Sequence, residues 1–188
     1  MSSVIGSVAS GIQGALLLAR GRADGIDRVE SDHAAALRSF WAIPLCVPAV
    51  MCLKLLDWVA NGIPARAPIV LGRYLLLFVV GWLLFAWVSH HLTGVLNKQS
   101  AWPRFIAVWS YCSVIENTMV AMGGLPGALG APAIVDQFAQ VVTFGWALWL
   151  EWFAIRLSLQ VGPLTAMVVL AVDMGIGVTM AVLAALGS

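Results

Sequence analysis

Charge is what this sequence has least of. Only 10% of its 188 residues are Asp, Glu, Lys or Arg, where an ordinary soluble domain has about a quarter. That shortage excludes a fold solvated on all sides. The net charge of +1 gives nucleic acid no electrostatic basis for binding. Cysteine is scarce, and Cys46, Cys52 and Cys112 all fall in apolar segments. They read as small buried hydrophobes, not as a disulfide framework or a metal site. No phosphate loop, HExxH, GxSxG or CxxC occurs, so no catalytic residue is assigned and the chain is expected not to be an enzyme. No Lys or Arg lies in the first nineteen residues, so the charged start of a signal peptide is missing. Histidine offers no cofactor site. His33 reads as a solvated surface residue. His90 and His91 are adjacent, so on a helix they point about 100° apart. No histidine in another span completes a haem pair. Neither a cofactor nor a metal is expected.

What is abundant is apolar: 61% of the residues are hydrophobic and the mean hydropathy is +0.94. With long uncharged runs, this is a membrane signature. The expected fold is an all-α integral membrane protein, a bundle of about five transmembrane helices with an N-terminal amphipathic interfacial helix. Residues 1–39 are expected to form that helix and a polar cytoplasmic segment, and 40–188 the transmembrane domain. The nine tryptophans suit aromatic belts at the two interfaces.

Residues 4–19 are too short to span comfortably, since about 20 apolar residues are needed. Val4, Ile5, Val8, Ile12 and Leu16 share one face at helical spacing, with Ser3, Ser7, Ser10 and Gln13 largely elsewhere. That pattern predicts a helix lying in the interface. Ser31 or Asp32 is placed to cap a short helix running into the first span.

The spans are expected at 40–61, 70–92, 104–122, 134–160 and 163–186. Pro44 and Pro48 should kink or loosen the first, where Lys54 and Asp57 share a face three residues apart. The third span places Ser113 beside Asn117 and Cys112 beside Glu116, each four apart. One of its faces is therefore polar. The loop 123–132 (GGLPGALGAP) is uncharged and turn-rich. In the fifth span, Ala171 with Gly175 and Asp173 with Gly177 are small spacings that permit close helix approach.

The stretch 134–160 is expected to organise the rest. Asp136, Gln140, Thr143, Ala147 and Glu151 recur at steps of four, three, four and four. They make one helical stripe, and Phe144, Trp146, Trp149, Trp152 and Phe153 cover most of the remaining circumference. Lipid favours the aromatic side and rejects the stripe.

Basic residues orient the bundle. With the N-terminus inside, Arg20, Arg22, Arg28, Arg38, Lys98, Arg104 and Arg156 lie inside, and Lys54, Arg66 and Arg73 outside. Seven against three predicts the N-terminus in the cytoplasm and the C-terminus in the periplasm of a bacterial inner membrane.

Glu116, Glu151 and Asp173 are the strongest functional pointers, with Arg156 as a candidate partner. A charge at a helix centre costs roughly 2.5–3.5 kcal/mol on insertion scales. Asp173 is expected near mid-depth, Glu151 in the inner half and Glu116 in the outer half. Four readings stay open: carboxyls that hold helices together, a transport or proton role, a lipid or quinone pocket, and a contact with a partner helix. Asn117, Asp136 and Gln140 are further intramembrane candidates.

The segment HHLTGVLNKQSAWPRFIAVWSYCSV leads from the second span through a short loop into a polar-aromatic cluster. It resembles the bacterial branch of the Yip family of five-span membrane proteins, through Gly94, Arg104, Tyr111 and Cys112 or Ser113. The resemblance covers the topology of about residues 40–186. The Asp-Leu-Tyr-Gly-Pro-type signature of the eukaryotic members is missing. The likeness implies a non-enzymatic protein that acts through partners or on the bilayer. The leading expectation is a scaffold or accessory subunit that contacts other membrane-protein subunits or forms a homo-oligomer within the lipid bilayer. The rival is a small proton-coupled transporter using Glu151, Asp173 and Glu116.

Overall fold

The computed structural model describes residues 4–186, and the described residues contain helices and no strand. Five helices among them are long and apolar enough to cross a membrane: His33–Asn61, Ala67–Val95, Gln99–Ala128, Ala133–Leu159 and Pro163–Ala185. In finer detail the described residues form eight α-helices: α1 (Val4–Leu18), α2 (His33–Ser39), α3 (Ala42–Asn61), α4 (Ala67–Val95), α5 (Trp102–Gly123), α6 (Leu125–Ala128), α7 (Ala133–Leu159) and α8 (Pro163–Ala185). The stretch expected as the loop 123–132 therefore contains one helical turn, α6, directly after α5. A 3-10 segment, Ala23–Arg28, lies between α1 and α2.

Local chemistry sets the ends. Asp32 caps α2, its Oδ1 accepting from the Ala35 N–H at 2.5 Å. Such a cap contributes about 1 kcal/mol. Pro163 opens α8, where its missing N–H costs nothing. Pro44 falls in the first turn of α3 for the same reason, and Pro48 alone lies inside that helix. Gly62 ends α3 at φ 96°, a backbone angle that suits a residue without Cβ. Lys54 and Asp57 form their ion pair at 2.6 Å, and Asn61 adds a 2.8 Å bond to the same carboxylate.

The organising helix is α5, not the 134–160 segment. It packs most extensively against α7, then α3, and also meets α2, α1 and α4. Every residue from Phe105 to Ser113 is buried. Lipid disfavours the middle of α5 because it carries Ser110, Ser113, Glu116 and Asn117. Ser39 of α2 bonds the Ser110 hydroxyl at 3.3 Å, and two of the other groups are satisfied within α5 itself. Ser113 donates to the Trp109 carbonyl at 2.9 Å, and Asn117 to the Ser113 carbonyl at 2.8 Å. Helices in lipid associate through packing and hydrogen bonds, not through release of water. Phe85, Phe105, Ile106, Leu150, Ile155 and Leu159, all fully buried, supply that packing.

The N-terminal helix has a second face that its apolar stripe does not announce. The residues it buries are Ser7, Gly11, Gly14, Ala15 and Leu18, on the side away from Ile5 and Leu16. Ile5 stays 81% exposed. Small residues let the backbones close up. Gly11 lies against the Tyr111 ring, and the Gly14 and Gly25 backbones cross. Of the apolar face, Ile5 and Leu16 are left outward, where a bilayer interface can take them, while Val8 and Ile12 pack partly against the core. Ser7 and Arg38 both bond to Glu30, at 3.0 and 2.5 Å, which ties α1 to α2. A Cβ at Gly14 falls 2.6 Å from the Gly25 carbonyl oxygen, and neither backbone can yield. Gly14→Ala is expected to cost about 1–3 kcal/mol. Limited proteolysis should then cut the 19–32 connection faster than in the parent chain.

Candidate functional site

Helices α7 and α8 are antiparallel and joined by residues 160–162. Residues equidistant from such a turn meet. Glu151 lies eight residues before Leu159 and Asp173 ten after Pro163, so both sit roughly 12–15 Å from the turn at 1.5 Å per residue. Their carboxyl groups face each other within hydrogen-bonding reach. Glu116 on α5 lies within electrostatic reach of both. The three acids, contributed by three helices, lie within electrostatic reach of one another, with Glu116 two helical turns beyond Trp109 on α5.

Glu151 is only 5% exposed. Its Oε1, and the Oε1 of Glu116, are buried without a hydrogen-bond partner. Trp109 donates its indole N–H to Asp173 Oδ2 at 3.3 Å. No Lys, Arg or His among the described residues forms an ion pair with any of the three. Arg156, the expected partner, instead lies over the Trp152 ring at 4.8 Å. It is on the α7 helix itself, five residues from Glu151, and that spacing turns it away from the carboxyl.

Beside the cluster is a cavity of about 450 Å³, lined by residues of α4, α5, α7 and α8 and including Glu116, Asn117, Asp173 and Trp109. Its origin is steric. Trp109 packs against Trp82 at 4.7 Å and Phe85 at 4.6 Å between ring centroids. These rings hold α4 off α5, and interaxial distance follows side-chain size. Tyr74, Phe78 and Phe144 complete the aromatic wall.

The remaining candidates lie elsewhere. Asp136 accepts from the Gly127 N–H and the Gln140 amide, both at 2.9 Å, and so fixes α6 onto α7. Asp136 and Gln140 line a separate cavity of about 650 Å³ at the α3–α6–α7 end, with Phe144 shared between the two cavities. Tyr111 packs under Gly11. Arg104 is half-buried at the start of α5, and Gly94 is near the end of α4. His90 and His91 stand edge-on to Trp102 and Trp87. No group of His, Cys, Asp or Glu among the described residues is arranged to hold a metal ion.

Trp109 and the aromatic wall were missing from the candidates. The signal was present: Trp109 and Glu116 are seven apart, two helical turns, and share a face.

In comparison with known proteins, the chain matches no family model, no curated protein and no solved structure.

Proposed function

We propose that this chain is a small proton-coupled transporter whose working groups are Glu151, Asp173 and Glu116. The observation that carries the reading is the proximity of Glu151, 5% exposed, to the half-buried Asp173, with no ion-pairing cation among the described residues. Two carboxyl groups this close repel when both are ionised, and a proton shared between them relieves that repulsion. Glu151 and Glu116 each keep one buried oxygen without a hydrogen-bond partner, free to take a proton or a ligand. The adjoining cavity gives that proton something to exchange with.

The proposed setting is a bacterial inner membrane with the N-terminus cytoplasmic. Its support is the count of basic residues, seven on the inner side against three on the outer for five spans with the N-terminus inside, as the positive-inside rule asks. A scaffold role is the second reading, and it also accords with the Yip-like segment. It is favoured by Ala171 and Gly175 on α8, both exposed, with open space beside Gly175.

The two readings differ in flux. The protein in liposomes under an imposed pH difference should collapse that difference faster than protein-free liposomes. Glu151→Gln should return the rate to the protein-free value. Equal rates for all three leave the scaffold reading.

A further inference from the structure

We infer that the cavity between α4, α5, α7 and α8 binds a lipophilic organic monocation, which replaces a proton on the carboxyl cluster. This rests on the transporter reading and names its substrate class. The first ground is charge. Three carboxyl groups lie within electrostatic reach of one another, and no basic side chain among the described residues forms an ion pair with them. Glu151 is 5% exposed with an orphaned oxygen, and Glu116, which lines the cavity, has another. A cation from outside the chain would supply the partner these oxygens lack.

The second ground is the wall. Tyr74, Phe78, Trp82, Trp109 and Phe144 ring the space. Aromatic faces attract cations, most strongly where water is excluded, and they also accept apolar substituents. A hard inorganic cation wants six or more oxygen ligands, and an aromatic wall denies them. A neutral lipid or quinone leaves the carboxyl charge unanswered. A cation with aryl or alkyl substituents satisfies both the wall and the acids. The exchange balances in charge: one monocation enters as one proton leaves, and no covalent bond to carbon changes.

The test uses the full chain in detergent micelles and three probes of nearly one shape: tetraphenylphosphonium (cation), tetraphenylborate (anion) and tetraphenylmethane (neutral). Binding is read by calorimetry in two buffers of different ionisation enthalpy, which counts protons released. The cation should bind at least about tenfold more tightly than either other probe. It should weaken as pH falls and release about one proton, since proton and cation compete for one site. Asp173→Asn and Glu116→Gln should each cut its affinity at least about tenfold. Should those variants fail to fold, Gly177→Leu serves instead. Gly177 lines the cavity, has open space at its Cβ position and lies one turn from Asp173, so a leucine occupies the space beside that carboxyl while leaving it ionisable, and binding should be lost. Equal binding of cation and neutral probe, or no binding at all, overturns the inference. The proton flux described above is then the separate criterion: if it persists and needs Glu151, the transporter reading survives with another substrate class, and if it is absent both fall.

Discussion

Glu151→Gln and Asp173→Asn, singly and together, are expected to fold like the parent chain yet reduce proton flux in liposomes by at least about 100-fold. The double variant is expected to lose no more than either single one. That non-additivity is the signature of groups acting as a unit. It follows from geometry. The two carboxyls face each other across the α7–α8 contact, so a proton held between them belongs to the pair and not to one residue. Removing ionisation from either ends the exchange. Folding should survive because Gln and Asn keep the shape and the hydrogen bonding of a protonated carboxyl. In the Asp173→Asn variant the Trp109 indole retains an acceptor, the amide oxygen. Two independent, additive losses would mean that the acids act separately. Loss of the folded form in both single variants, with no flux in the parent, would mean that they hold helices together.

Much of this was legible in the sequence, and the reasons are local. The five spans follow from hydropathy and length, which act over about twenty residues at a time. The Asp32 cap and the Lys54–Asp57 pair follow from spacings of three residues. Less legible was which face meets what. For α1 the apolar stripe pointed to the bilayer interface and left the other side unassigned. That side carries Gly11 and Gly14, and it supplies the contact with the bundle. For α7 the polar stripe is real, but it is buried at Glu151 and Ser158 and exposed at Gln140. The central place went to α5, whose small polar residues gain most from protein surroundings. The meeting of Glu116, Glu151 and Asp173 depends on helix order and tilt. A one-dimensional pattern carries neither, so the three residues could be picked out while their convergence could not.

Trp109→Ala is expected to have the largest effect on stability, about 3–5 kcal/mol, as for other buried tryptophans, and to abolish binding of tetraphenylphosphonium. Trp109 is 4% exposed on the central helix. It does three things at one depth. Its ring contacts Trp82 and Phe85, and so sets the α4–α5 gap. Its indole N–H donates to Asp173 and orients that carboxyl. Its surface forms part of the cavity wall. Alanine removes all three, and α4 is then free to settle onto α5 and close the cavity. Trp109→Phe separates them. It keeps a ring between α4 and α5 and removes only the donor, so stability should fall much less. An undirected Asp173 carboxyl should still cost roughly tenfold in affinity, the worth of one hydrogen bond to a charged group at about 1.5 kcal/mol or more. Thermal unfolding and probe binding on the same preparations check both variants. Were Trp109→Phe as unstable as Trp109→Ala, the N–H and not the ring would hold the bundle. Were it to bind the probe like the parent chain, the indole would be a spacer and Asp173 would need no orientation from it.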